Sequence, residues 1–288
     1  MELLLQQIAN GLSLGMAYAL VALGLTLVFG VLHVVNFAHG EFYMLGALVT
    51  VLVVKSLGLP YIVALLIAIV LVSAVAWVMD IVAVSPVARK PGGDQIVLVS
   101  TYAAGLIIVE TVLAAIGPTP IAVSGFSGIV HFGSVVLTMH RVFMFAAGIV
   151  MICGLYMLFT RTNFGRSLRA VAQSDYAAKV VGIDVERIKT LTFVLAGGIA
   201  GLAGGLIAPI ITFNATMGLH AGIHAFVVVV IGSMGSIPGA VVCGLSLGMI
   251  ESVLSIFLGQ HVAATLIYSL LLVTLFVRPQ GLFQGALR

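Results

Sequence analysis

From Tyr61 to Met79 the chain reads YIVALLIAIVLVSAVAWVM, without a single charged residue. A helix needs about 20 apolar residues to cross the hydrocarbon core of a bilayer, and runs of this kind recur along the sequence. They cover approximately residues 3–29, 61–84, 96–116, 142–159, 191–211, 240–257 and 262–277. Hydrophobic residues make up 62% of the 288 and charged ones 7%, against roughly 25% charged in soluble domains. Backbone polar groups in lipid must be satisfied within the chain, and helices are the economical way to do so. The sequence therefore predicts an all-α polytopic membrane protein with about eight transmembrane helices, arranged as one membrane domain over residues 1–288. No stretch is left for a sizeable soluble domain, so hydrolytic or redox chemistry on such a domain is excluded.

The exception to this oiliness is residues 161–189, RTNFGRSLRAVAQSDYAAKVVGIDVERIK, which hold half of the twelve Lys and Arg residues. Such a concentration marks the cytoplasmic side of a membrane protein. Leu168, Ala172, Tyr176 and Val180 recur every fourth residue, while Arg166, Arg169 and Gln173 fall on another face, so one amphipathic helix ending at Gly182 is expected. It would either lie among lipid headgroups or fit a socket on a soluble partner. The net charge of +3 is small and concentrated here, which bears on topology and not on nucleic acid.

Two stretches interrupt the apolar pattern. In GVLHVVNFAHGEFYMLGA, residues 30–47, the polar Asn36, His39 and Glu41 stand beside Gly40. Polar groups at membrane depth are expensive unless they face protein or water, so a broken helix on a translocation pathway is expected, with structural bracing by hydrogen bonds as the alternative. In GSMGSIPGA, residues 232–240, Pro238 cannot continue a regular helix. A half-helix over 225–231, an unwound turn with Ser233 and Ser236, and a full span after it are predicted, the turn offering backbone polar groups to a substrate. Counting crossings, a cytoplasmic N-terminus would need a short crossing within 31–40, and the cytoplasmic C-terminus marked by Arg278 and Arg288 needs one within 225–236. No residue-by-residue internal repeat is expected.

Small residues at four-residue intervals, Gly11–Gly15–Ala19 in the first span and Gly197–Gly201–Gly205 beside Ala196–Ala200–Gly204 near 191–211, predict close helix packing and a central place for the later helix. Glu110 and Glu251 read as packing or pathway residues. His220 and His224, four apart and near the outer interface, read as a solvated or hydrogen-bonded pair and not as a metal site. Residues 117–140 suit an outer loop with a short strand-like or interfacial piece. Cys153 and Cys243 lie in apolar runs, where no disulfide is expected. The start MELLLQQIANGLSLGMAYAL lacks a basic leader region, so the first helix is expected to be retained. No GK[ST] tripeptide and no HExxH occur, so neither a phosphate loop nor a metalloprotease site is predicted and no cofactor is expected on this chain.

In four blocks taken in order, residues 9–47, 169–206, 229–252 and 278–283 (RPQGLF), the sequence resembles the LivH-type permeases of branched-chain amino-acid ABC importers. The resemblance implies a permease subunit in a bacterial inner membrane. Its partners would be a second, LivM-type permease, two ATP-binding subunits that use ATP and Mg, and a periplasmic solute-binding protein. The resemblance also implies an ATPase-coupling helix carried by Arg169, Gln173, Asp175, Ala177, Ala178 and Gly182, of which Ala177, Ala178 and Gly182 match the importer signature. Related permeases handle urea, short amides and other amino acids, so the transported molecule stays open. A self-sufficient channel or ion-coupled carrier is the alternative from another class.

Overall fold

The computed structural model describes residues 2–133 and 135–283. Arg288 lies outside them. Among the described residues, seven helices are long and apolar enough to cross a membrane: α1 (Glu2–Leu32), α3 (Tyr61–Met79, continued by a π-helical turn and the short α4, Ser85–Ala88), α5 (Gly93–Ile116), α6 (Met139–Arg161), α9 (Val185–Ile207), α11 (Ile237–Leu258) and α12 (Gln260–Val277). Two further helices, α2 (His39–Ser56), less apolar, and α10 (Met217–Gly232), shorter, complete the bundle. A two-stranded antiparallel hairpin, β1 (Ile129–Phe132) and β2 (Val135–Thr138), fills the region read as a strand-like loop. The basic segment forms α7 (Asn163–Gln173) and α8 (Asp175–Val180).

Side-chain bonds between helix ends define the two faces. At one, Arg89 pairs with Glu186 at 2.9 Å and Thr190 donates to Asp80 at 2.6 Å, next to α7 and α8; this is the basic face. At the other, Tyr61 donates to the Gly205 carbonyl at 2.7 Å, Ile121 bridges Phe213, and Gln6 holds Val136 of the hairpin through both its amide groups at 2.8 and 2.9 Å. The start of α1 is therefore on the hairpin face, opposite the basic one. The extra crossing inside 31–40, which an N-terminus on the basic face would need, is therefore absent: residues 33–38 and α2 together form one return passage. At the other end of the chain, α10 supplies a passage from the hairpin face to the basic face, as a C-terminus beside the basic segment requires. Its helix begins at Met217, well before the predicted half-helix.

Helix α9 is the centre because its small residues leave two flat sides. A Cβ on Gly197 or Gly201 would run into Ala76 or Val72 of α3, and one on Gly204 into the Tyr43 carbonyl of α2. Gly46 of α2 abuts Gly201 in the same way. Tertiary contact this close replaces the missing hydrophobic drive between helices in lipid with dispersion.

The most extensive helix pair is α1 against α11, and here the structure reveals a repeat that sequence reading overlooked. The hexapeptide GLSLGM occurs at 11–16 and again at 244–249. The two copies pack antiparallel, Gly11 on Gly248 and Gly15 on Gly244, with backbones so close that a Cβ at Gly11 would fall 2.7 Å from the Gly248 oxygen. Each copy has the Gly-x-Ser-x-Gly spacing of a hydrolase elbow, yet both lie inside helices. Ser13 spends its hydroxyl on the Ala9 carbonyl at 3.2 Å.

The basic segment departs from the single predicted helix. Ser174 is extended (φ −165°, ψ 116°) and splits it, its hydroxyl capping α8 through the Ala177 amide at 3.2 Å. The fourth-residue stripe consequently divides: Leu168 is buried, whereas Tyr176 (79% exposed) and Val180 (69%) point outward.

Candidate functional site

Three places hold the residues singled out from sequence. The first is the break between α1 and α2. His33, at φ 58°, ends α1. Asn36 then turns the chain, its side-chain oxygen accepting from the Ala38 amide at 3.0 Å and its carbonyl from the His39 amide at 3.2 Å. Thr101 of α5 accepts from the Phe37 amide at 3.2 Å. The amides of Phe37, Ala38 and His39 are thus satisfied inside protein, as an unwound segment at membrane depth requires. His39 is buried against the middle of α1, with Nε2 donating to the Val21 carbonyl at 3.1 Å. Glu41 is 6% exposed and lies against Gly218 of α10 and Gly105 of α5. Among the described residues, Asn36 Nδ2, His39 Nδ1 and Glu41 Oε2 find no hydrogen-bond partner. Three unmatched polar atoms within six residues is a costly arrangement in a low-dielectric interior.

The second place is the α10–α11 turn. Ser233 is a non-glycine residue at φ 81°, and Gly281 (φ 77°) presses so close to it that a Cβ there would sit 2.5 Å from the Ser233 nitrogen. The Leu282 amide donates to the Ile231 carbonyl at 2.8 Å, tying residues 278–282 across the turn. Ser236 is buried, and its hydroxyl caps α11 by accepting from the Gly239 amide at 3.2 Å. Pro238 stands in the first turn of α11, where it starts the helix instead of stopping one. The structure does not bring Ser233 and Ser236 to Asn36, His39 and Glu41. The serine turn packs near Gly30 at the basic end of α1, while His39 sits at mid-depth.

The third place is α7–α8. Arg169 donates to the Phe159 carbonyl and Arg166 to the Asn163 side chain. Lys189 of α9 pairs with Asp175, bracing α8 against α9. Gln173 and Ala177 are exposed; Ala178 is 2% exposed and faces inward. Gly182, at φ 84°, ends the unit with its amide on the Lys179 carbonyl at 3.0 Å. What projects is an apolar knob, Tyr176, Val180 and Val181 (73% exposed). Beside α7 lies an open cleft of about 410 Å³ lined by Asn163, Arg166, Ser167 and Ile183.

Sequence reading missed the buried Asp80 and the approach of His224 to Glu251. Asp80, 1% exposed, accepts from Ser85 at 3.1 Å as well as from Thr190, clamping α3 to α9; it hides at the end of an apolar run. His224 lies 3.4 Å from Glu251, with Tyr18 stacked on its imidazole. Glu110, by contrast, is exposed on α5. Among the described residues no group of three or more His, Cys, Asp and Glu is placed to hold a metal.

Residues 7–277 match the family described as "Branched-chain amino acid transport system / permease component". The chain belongs to this permease family. The high-affinity branched-chain amino acid transport system permease protein LivH of Escherichia coli strain K12 is 34% identical, over 96% of this chain and 94% of that protein. LivH of Salmonella typhimurium is 33% identical over the same shares, and BraD of Pseudomonas aeruginosa 31% over 96% and 95%. The match runs from the first turns of α1 to the end of α12.

Proposed function

We propose that this permease carries branched-chain amino acids, or similar hydrophobic amino acids, across a bacterial inner membrane, with ATP hydrolysed by two separate ATP-binding subunits docked on α7–α8. In this reading the basic face is cytoplasmic. A second, LivM-type permease completes the conduit, and a periplasmic solute-binding protein delivers substrate to the hairpin face. The partners, not this chain, bind ATP and Mg. The observation that carries the reading is the exposed Tyr176–Val180–Val181 knob, anchored by Ala178 from within and by the Asp175–Lys189 pair from the side. A knob this rigidly mounted transmits force; a helix serving only as a headgroup float needs no such brace. Arg169 fixes the α6–α7 corner, so a push on α8 reaches α6 as well as α9.

Asn36, His39 and Glu41 form the pathway group, because their unmatched polar atoms supply contacts that a passing ammonium or carboxylate, or the water around it, would use. Ser233 and Ser236 shape the cytoplasmic gate through the strained α10–α11 turn. High affinity belongs to the binding protein, so the conduit needs only weak, differential contacts during the cycle.

The test is uptake into proteoliposomes holding all subunits. Changing Tyr176 and Val180 together to Asp is expected to lower ATP-driven uptake and ATPase docking about 30-fold, the scale of losing an interface hot spot, while this chain still purifies folded. Unchanged uptake would refute the coupling role. Calorimetry of the cognate binding protein against amino acids, urea and short amides identifies the cargo.

A further inference from the structure

Near the basic face α3 changes its winding. Residues 80–84 form a π-helical turn, closed by the Ser85 amide on the Asp80 carbonyl, before the chain continues into α4. Pro86 gives the reason: in an uninterrupted α-helix its ring would collide with the Val82 carbonyl, and it has no amide hydrogen to donate. Helices bend at prolines and at π turns, and single π turns recur at functional sites. Both features coincide here, so this is a joint in α3.

Asp80 fastens the joint. Its Oδ2 accepts from Ser85 at 3.1 Å and from Thr190 of α9 at 2.6 Å. Residues five apart in a regular α-helix lie about 140° apart around the axis, so the Asp80–Ser85 bond needs the π winding. One oxygen therefore joins the winding of α3 to the position of α9. On the α9 side, Thr190 adjoins Lys189, which pairs with Asp175 of α8, and Glu186, one turn earlier, meets Arg89 just past α4. On the other side, Ser100 of α5 donates to the Ala83 carbonyl inside the joint at 2.7 Å. Its neighbour Thr101 holds the Phe37 amide at 3.2 Å, at the break beside Asn36. Bonded and adjacent residues thus run without a gap from α8 to the break between α1 and α2.

We propose that the Asp80 joint relays motion from α8 to the pathway break. Helix α8 moves Lys189 and Thr190, Thr190 draws on Asp80, the joint bends, and Ser100 and Thr101 carry the bend to Phe37. Asp80, Thr190 and Ser100 are positioning residues for transport. The inference rests on the coupling role of α8 given above and adds the route by which it acts. A series of contacts becomes a coupling route only when one member has two arrangements that both ends bias. The joint, short of a backbone hydrogen bond and held by a single carboxylate oxygen, is that member.

The experiment uses the complete transporter in proteoliposomes. Thr190→Val keeps the side-chain shape and removes the donor to Asp80. Docking of the ATPase subunits and ATP hydrolysis are expected to stay at wild-type levels, while leucine uptake per ATP falls about 10-fold, the scale of one lost hydrogen bond. Thr190→Ser, which returns the donor, is expected to recover the uptake. Spin labels at the exposed Trp77 and Lys90, on either side of the joint, read the bend itself once Cys153 and Cys243 are replaced by Ser. Their separation is expected to differ between the nucleotide-free and ATP-bound wild-type complexes and to stay fixed in Thr190→Val; the wild-type measurement decides alone should the variant fail to fold. A wild-type separation that does not change, a change that persists in Thr190→Val, or unaltered uptake per ATP in that variant overturns the relay. If Asp at Tyr176 and Val180 still abolishes uptake in that case, the coupling role stands without the relay; if it does not, both fall.

Discussion

At Gly204 there is no room for even one methyl group, because its Cβ would occupy the place of the Tyr43 carbonyl oxygen. Backbone cannot yield as a flexible side chain can, so Gly204→Val is expected to exceed the usual overpacking cost of about 1–3 kcal/mol and abolish the monodisperse peak in size-exclusion chromatography. Gly154 of α6 is the control: no atom lies within 4 Å of its Cβ position. There Gly154→Ala is expected to raise stability by up to about 1 kcal/mol through helix propensity, read as a small rise in Tm. The stripes of small residues in α1 and α9 were legible in the sequence because their spacing follows the helix period. Which partner each glycine meets was not, since that depends on pairs such as Gly11–Gly248 that are distant along the chain. Asp80 and the His224–Glu251 pair were illegible for the same reason: a lone polar residue in an apolar run says nothing of the partner that another helix brings to it.

The α7–α8 element shows how a periodic pattern misleads. Leu168, Ala172, Tyr176 and Val180 keep helical spacing on paper, yet Ser174 followed by Asp175 is also a helix-start signal, and the hydroxyl cap on the Ala177 amide decides in its favour. Ser174→Ala is expected to cost about 1 kcal/mol of local helix stability, seen as faster hydrogen exchange across 175–180 with the membrane helices unchanged. The Arg89–Glu186 pair, its side chains 63% and 48% exposed, is a weaker tie between elements. Removing it with Glu186→Gln is expected to change stability by less than about 1 kcal/mol, a difference that thermal unfolding in low and high salt would show shrinking further. The break after α1 was legible from Asn36, His39 and Gly40. Its exact place was not, because it turns on the φ of 58° at His33 and on a bond from Phe37 to Thr101, a residue 64 positions away.

For the whole molecule, the faces follow from the alternation of helices between the hairpin and basic ends. The run of apolar segments made the polytopic helical class evident, but hydropathy alone undercounted α2, which opens on His39 and Glu41, and α10, which has only 16 residues. With Cys153 and Cys243, both free, replaced by Ser, a cysteine introduced at Glu2 is expected to react with an impermeant maleimide added outside intact cells. One introduced at Arg161 is expected to react only after lysis.

The central claim is that this permease moves its cargo only when force arrives through α8. Leucine uptake into proteoliposomes, measured with the complete set of subunits and again with this chain and its paired permease alone, tests it most directly. ATP-dependent uptake by the full set, lost on changing Tyr176 and Val180 to Asp and absent without the ATPase subunits, is the expected result; flux that persists without those subunits, or that ignores the two substitutions, would contradict the account.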